Sequence, residues 1–528
     1  MKTKNKPYPY YNVPEISDLK ELVDYCANNY ADRVSFHWLE KKIEITKTYK
    51  EFKEDVEALG TYFISKGYNK AHIAIMGENC YELILTYFAV INSGNIIVPF
   101  AKDSAPDDLE YLYKHSDSSV IVCTDAYFNA AQALNCETTI NTKNLYDCID
   151  AGKKLIASGD NSYKNLAIDK DALSVLVYTS GTTSRPKGVM LSHGCIAFYI
   201  TATLKNLQFP DSAFLLVPLH HIYAFASVIV GSMFNGASVF INSSLKNLLS
   251  DIQFSKPKFI PCVPLVVEMF NKSIKDNIKK SGKENAVKTL VKISNALLSI
   301  GIDVRRKFFK NIIDAFGGNL EILAVGGAPL NEQLVIDFNN YGIKVVNGYG
   351  TTELADVSMM RNEHFEPRSV GSINPGIEVR IVDGEIQLKK GPALFLGYYK
   401  DEETTNKSFD GEWYKTGDIG RMENNFLYIT GRLKNLIVLP NGENVSPEEL
   451  ELKLSCAIPQ ISEIIVSEKN GIIVAEIFSK DADDATRNNI KNLVFEHNKN
   501  LPTFKHIGEV VFRDVGFPRT TTNKIKRT

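Results

Sequence analysis

Short, wholly apolar runs alternate with amphipathic stretches through the first two-thirds of the chain. Residues 73–76, 96–99 and 120–123 are apolar throughout and read as short buried strands. Residues 48–59 and 79–92 carry apolar faces at helical spacing, and Thr48 with Glu51 three positions on has the form of a capping box. Fully apolar strands alternating with helices predict a parallel sheet covered on both faces. The alternation continues with strands at 214–217, 238–241, 259–262 and 322–325 and helices at 264–270 and 286–309, which makes a second α/β unit. Residues 368–430 change to short strands rich in turn residues, a β-rich subdomain. A hinge is expected near 432–435, followed by a small α+β module. The predicted fold class is therefore α/β, with a large N-terminal domain over 1–431 and a small C-terminal domain over 432–528.

Residues 213–241 are apolar enough to suggest a membrane span, but Pro218, His220, His221 and Asn235 interrupt them, and Gly231 and Gly236 break the middle. Strand, loop, buried helix and strand is the expected order there.

At 528 residues the chain exceeds what one hydrophobic core supports. A formal net charge of -2 argues against a general nucleic-acid or membrane-surface binder. The eight cysteines are scattered with no C-x-x-C pair, which speaks against a metal cluster or disulfide framework and fits a reducing, cytoplasmic setting. Residues 1–20 contain lysines but no apolar core, so no secretory signal is expected.

Chemistry concentrates in six places. Residues 178–193 read Tyr-Thr-Ser-Gly-Thr-Thr-Ser-Arg-Pro-Lys-Gly-Val-Met-Leu-Ser-His, a hydroxyl- and glycine-rich loop between two apolar runs. Thr179, Ser180, Gly181, Thr182 and Thr183 offer donors to a polyphosphate, and Lys187 adds a point charge. Pro186 before the lysine and Gly188 after it rule out the Walker pattern. The pair His220-His221 follows a probable strand end, where an imidazole can donate to a carboxylate or acyl phosphate; a lone histidine there would more often be structural. Asn347-Gly348-Tyr349-Gly350-Thr351-Thr352-Glu353 supplies a flat aromatic face, a hydroxyl and a hard oxygen ligand suited to Mg²⁺; a turn with a helix-start glutamate is the bland reading. Asp418, flanked by Gly417 and Gly420, can bind both hydroxyls of a ribose, although aspartate in turns is common. Arg432 and Lys434 stand at the expected domain boundary, just before a helix start made by Ser446, Pro447 and two acids. Residues 518–527 form a basic C-terminal stretch containing Lys524, which alone would pass for a frayed tail.

In this order, over about residues 48–524, the six motifs resemble the acyl-adenylate-forming superfamily of acyl- and aryl-CoA ligases, nonribosomal adenylation domains and luciferases. The resemblance implies two α/β subdomains and a β-barrel in the N-terminal domain, with a mobile C-terminal domain. It implies that Thr179 to Thr183 and Lys187 hold the β- and γ-phosphates of ATP. Gly327, Ala328, Pro329 and Tyr349 would frame the adenine, in company with Asn347, Gly348, Gly350 and Thr351. Asp418, with Arg432, would bind the ribose. Glu353, with Thr179, would hold Mg²⁺, and Thr352 and His221 would stand by the reacting groups. Lys434 matches the hinge. Lys524 matches the lysine that reaches the carboxylate and α-phosphate during adenylation.

The chain departs from the family pattern at Asn523, where glycine is usual, and at Ala224 after Tyr223, which predicts an altered mouth of the acyl pocket. No carboxylate lies between His221 and Gly236, so a plain carboxylic acid is expected rather than an α-amino acid. The stretches 218–221 and 441–445 look closest to bacterial fatty acyl ligases. The expected activity is an ATP-dependent acid–thiol ligase acting through acyl-AMP. CoA or the phosphopantetheine of a carrier protein in trans would be the acceptor. The alternatives are a stand-alone amino-acid adenylation protein and a catalytically silent scaffold. Retention of Glu353, Asp418, Arg432 and Lys524 weighs against the scaffold, and Val438, where luciferases carry lysine, weighs against a light-emitting oxidase.

Overall fold

The strands His72–Met76 and Ile96–Pro99 run side by side in a parallel sheet, Ile73 opposite Ile97, with almost every side chain buried. Burial on both faces is why these stretches are apolar without alternation. Leu173–Thr179, Ser118–Cys123 and Thr138–Asn141 extend the parallel set. Lys187–Ser192 and Gly397–Tyr398 close its edge in antiparallel sense, giving seven strands. This computed structural model describes residues 9–528 except 180–184, 243, 355, 440–442, 470, 481, 520–524, 526 and 528.

A second, nine-stranded sheet carries Ser212–Leu215, Ser238–Ile241, Phe259–Cys262, Ile322–Val325 and Lys344–Tyr349 in its parallel centre. The strands Val34–Glu40 and Ile43–Thr48 form an antiparallel hairpin at one edge, for which the apolar pattern gave no warning. The helix after it, Tyr49–Ser65, starts at the expected capping box: the Thr48 side chain accepts from Glu51 N while the Glu51 carboxylate accepts from Thr48 N. The expected β-rich subdomain is a five-stranded antiparallel sheet between Val379 and Arg432. Beyond it, residues from Ile437 to Val510 build a hydrophobic core of their own around a three-stranded sheet and the helices Pro447–Ala457 and Asp484–Asn498. The first of these helices begins at Ser446, whose hydroxyl accepts from Glu449 N, as the sequence predicts.

Three expected elements differ in extent. The strand expected at 214–217 is Ser212–Leu215. The helix expected at 264–270 runs to Lys280. The single helix expected over 286–309 is Glu284–Ser299, then Arg305–Phe308 and Lys310–Ala315. Gly301, at φ +88, ends the first of them. Within 213–241 the expected order holds, but the buried helix is a π-helix over Ala224–Val230. Among the described residues no helix is long and apolar enough to cross a membrane.

Candidate active site

Two of the phosphate-loop candidates, Thr179 and Lys187, stand opposite each other at the ends of paired strands. Thr179 pairs with Lys187 across the antiparallel strands Leu173–Thr179 and Lys187–Ser192, so residues 180–186 are the connection. Ser180, Gly181, Thr182 and Thr183 lie outside the described residues. Both stems are tied to their surroundings. The Tyr111 hydroxyl donates to Pro186 O at 3.3 Å, and the Arg185 guanidinium lies 5.0 Å over the same ring. His115 Nδ1 and the Tyr178 hydroxyl are 2.8 Å apart, and Tyr399 N donates to Gly188 O at 2.8 Å.

Lys187 Nζ lies 5.0 Å from the ring centre of Tyr398, and the Tyr398 hydroxyl donates to Glu353 Oε1 at 2.8 Å. One tyrosine thus joins the loop lysine to the candidate Mg²⁺ ligand. The Tyr414 hydroxyl is 3.4 Å from that of Tyr398. Burial, reinforced by the Glu353 charge, holds both phenols protonated far above the ordinary tyrosine range. The Tyr398 bond uses Oε1 of Glu353 alone among the described residues, and Mg²⁺ shared with phosphates requires only one or two carboxylates from a protein. Among the described residues no group of three or more His, Cys, Asp or Glu is gathered for a metal.

The strands Ile322–Val325 and Lys344–Tyr349 lie parallel, Val325 opposite Asn347. Their C-terminal ends therefore release two candidate segments side by side, where ligands bind in open α/β sheets. Gly327, Ala328 and Pro329 are exposed there, and Gly327 adopts φ +83, a conformation that favours glycine. Asn347 is buried with its Nδ2 3.4 Å from Ser369 O. Gly348 is half-buried with Ser358 O and the Met359 side chain pressed against it, so even a methyl group would collide. Gly350, Thr351 and Thr352 are half-buried, and Thr351 Oγ1 is buried without a hydrogen-bond partner among the described residues.

Tyr349 leads to the next motif. Its hydroxyl donates to Asp418 Oδ2 at 2.8 Å, while Arg432 Nε donates to Oδ1 at 2.8 Å. Asp418 and Arg432 face each other across the strands Trp413–Glu423 and Phe426–Arg432. Asp418 is 4% exposed and held further by donation of its own N–H to Thr416 Oγ1. Burial and the Asp418 charge raise the Tyr349 phenol well above its usual value. Lys434 is exposed, and partial desolvation and the neighbouring Arg432 lower its ammonium.

His221 N donates to Pro218 O at 3.0 Å, and its ring centre is 4.1 Å from that of His220. Burial, then His221 and Lys102, hold His220 neutral. The stretch after His221 lacks a carboxylate, as the sequence says, but the fold brings one from elsewhere. Asp356 is buried and accepts from Ser227 Oγ at 2.9 Å, on the π-helix, and from Thr203 Oγ1 at 3.3 Å. Burial raises its carboxyl to about 6. Sequence reasoning missed Asp356, Tyr398 and Tyr111, and none of them stands in a pattern that could have marked it.

Lys524 lies outside the described residues. Near it, Arg519 pairs in antiparallel sense with Ile525 and bonds Glu463 at 2.6 Å. Arg519 also acts on Glu268, in the helix Pro264–Lys280, where burial raises the carboxyl and the guanidinium offsets part of the rise.

Comparison with known proteins bears on the family and the fold. The family described as AMP-binding enzyme matches residues 23–399. Long-chain-fatty-acid–CoA ligase FadD15 of Mycobacterium tuberculosis is 27% identical over 500 residues, covering 88% of this chain and 82% of that protein. The peroxisomal long chain acyl-CoA synthetase 7 of Arabidopsis thaliana is 29% identical over 455 residues, covering 76% and 64%. Among solved structures, the anthranilate CoA ligase AuaEII in complex with anthranoyl-AMP superposes with a TM-score of 0.77 at 18% identity, covering 97% and 96%. The o-succinylbenzoate CoA synthetase of Bacillus subtilis with ATP and magnesium ion gives 0.71 at 21% identity, covering 96% and 98%. These likenesses fix the fold.

Proposed function

This chain belongs to the AMP-binding enzyme family and is an AMP-forming acid–thiol ligase, and we propose that it activates a long-chain fatty acid and passes the acyl group to CoA. The relatives named as long-chain-fatty-acid–CoA ligases support the acid and the acceptor. A relative named as a long-chain-fatty-acid–[acyl-carrier-protein] ligase keeps a carrier-protein phosphopantetheine as the second acceptor to test. The stand-alone amino-acid adenylation reading is not favoured by these relatives.

The observation that carries the assignment of roles is the junction of Lys187, Tyr398 and Glu353, which places a cation and an anion from distant motifs around one phenol. In this reading Lys187 and the hydroxyls of residues 179–183 bind the β- and γ-phosphates. Glu353, with Thr179, holds Mg²⁺, which when bound neutralises charge on the triphosphate. Tyr349 and residues 327–329 bracket the base. Asp418, aligned by Tyr349 and Arg432, accepts from the ribose hydroxyls. Thr352 and His221 stand by the reacting groups.

A substrate carboxylate oxygen attacks the α-phosphorus, and the bond to the pyrophosphate oxygen breaks. Lys524, carried by the C-terminal domain over 432–528, offsets the two anions as they meet. Its contribution is largest in the transition state, so it acts on turnover more than on ATP binding. The acyl-AMP is a mixed anhydride and needs shelter from water. Rotation about Lys434 then withdraws Lys524 and lets the thiol reach the carbonyl, with AMP leaving.

Acid-dependent ATP–pyrophosphate exchange tests the reading. Exchange driven by fatty acids, followed by thioester formation on CoA, is the expected result. Silence with every fatty, aryl and short-chain acid overturns it.

A further inference from the structure

The whole-chain charge balance conceals a local excess. Residues 272–292 hold seven lysines against Asp276 and Glu284, in a protein whose formal net charge is -2. Lys272, Lys279, Lys280, Lys283, Lys288 and Lys292 are exposed, and none makes an ion pair among the described residues. Lys288 and Lys292 stand four apart on the helix Glu284–Ser299, a like-charge spacing that disfavours an isolated helix.

That helix is seated on one narrow edge. Ser294 is its only buried residue, with Val287, Leu290 and Val291 packed half-buried against the core beneath. On its flank, Ile293 is 45% exposed and Ile300, just past its end, is 71% exposed. Ile302 adds a third exposed apolar group, at 49%. Single exposed apolar residues are ordinary on a solvated surface; what sets this face apart is that three isoleucines stand beside six lysines with no ion pair among the described residues. Unpaired lysines bordering an exposed apolar stripe match a helix lying in a membrane interface, with the isoleucines in the acyl boundary and the ammonium groups among phosphates.

We propose that the surface formed by the helix Glu284–Ser299 and the lysine-rich turn before it docks on an anionic phospholipid bilayer. The surface lies on the bilayer without spanning it. Docking of this kind suits an enzyme whose substrate partitions into lipid, so the biological rationale rests on the long-chain acid reading, whereas the binding itself does not.

The test is co-sedimentation of the full chain with vesicles of phosphatidylcholine alone or with about one-third phosphatidylglycerol. Sedimentation with the anionic vesicles only, weakening with added salt, is expected. K288E/K292E should weaken it at least about tenfold. I293S/I300S should weaken it too without changing Tm, since both side chains are exposed. K114E/K407E, the same charge change elsewhere on the surface, should leave binding intact. Failure to sediment, equal sedimentation with neutral vesicles, or equal loss in K114E/K407E overturns the proposal. An acidic carrier protein that binds this face while vesicles do not would replace the bilayer with a protein partner. Because the readout is lipid binding, loss of the ligase reading would appear separately, as absent exchange with every acid.

Discussion

Tyr349 and Asp418 come from different sheets and are joined by a single hydrogen bond of 2.8 Å, phenol to carboxylate. The bond links the segment that would stack on the base to the side chain that would hold the ribose. Arg432 grips the other oxygen of the same carboxylate. An aspartate held on both oxygens has one orientation to offer, which is how a short side chain in a strand becomes a reliable acceptor.

Removing one of these two grips should loosen nucleotide binding before it affects chemistry. Tyr349→Phe keeps the ring and deletes one bond to a charged acceptor. The KM for ATP is expected to rise about tenfold with little change in kcat. Steady-state kinetics at saturating acid checks this, and a fall in kcat at unchanged KM would contradict the assignment.

Glu353 and its tyrosine give a second, separable prediction. Glu353→Gln should depress exchange by about a hundredfold. Tyr398→Phe leaves the carboxylate in place but removes the donor to Oε1. It should shift the Mg²⁺ concentration needed for half-maximal exchange while changing the maximum rate far less. Magnesium titrations of both variants distinguish a metal ligand from a merely structural acid.

Lys524→Ala should lower acid-dependent exchange by about a hundredfold or more and leave the ATP dissociation constant nearly unchanged. Thioester formation from added acyl-AMP should survive the substitution. Loss of ATP affinity in step with turnover would place this lysine elsewhere in the reaction.

Asp356 predicts a pH dependence of stability. Its folded carboxyl is raised from 3.8 to about 6 by burial, so between those values the folded chain holds a proton that the unfolded chain has released. Its contribution is therefore most favourable below about pH 4, falls as pH rises through 6, and is constant beyond. Asp356→Asn cannot ionise and keeps an oxygen for Ser227 and Thr203. The Tm of the variant relative to wild type should rise between pH 4 and 7, and a flat difference would refute the assignment.

Much of this architecture is written in local pattern. Runs such as 73–76 and 259–262 are apolar because both faces are covered, and the capping box at Thr48 and Glu51 is a matter of three-residue spacing. The polar motifs are legible for the same reason: each concentrates its chemistry within a few residues. Pairing across distance is not legible in this way. Asp418 and Arg432 belong to separate motifs, and only the antiparallel register sets them face to face. Tyr398 sits in a two-residue edge strand, and Tyr111 on a helix flank; a tyrosine in either place has no distinguishing neighbours. Asp356 reads as one more polar residue after Glu353, because its partners Ser227 and Thr203 come from two other helices. The edge hairpin Val34–Glu40 and Ile43–Thr48 escapes notice because it alternates too weakly to separate from loop.

The π-helical turn over Ala224–Val230 has a further consequence. Its wider winding accommodates more chain per turn than an α-helix would. Deleting one residue there would let the segment close to ordinary winding while the turns on either side keep nearly their facing, because six residues at about 100° each turn about as far as seven wound more widely. Inside the segment the hydroxyl of Ser227 would be re-aimed, leaving Thr203 as the donor of this pair that still meets Asp356. The number of residues in this segment, as much as their identity, decides which hydroxyl meets that acid, so a single-codon deletion would change the acid's partners with almost no change in composition.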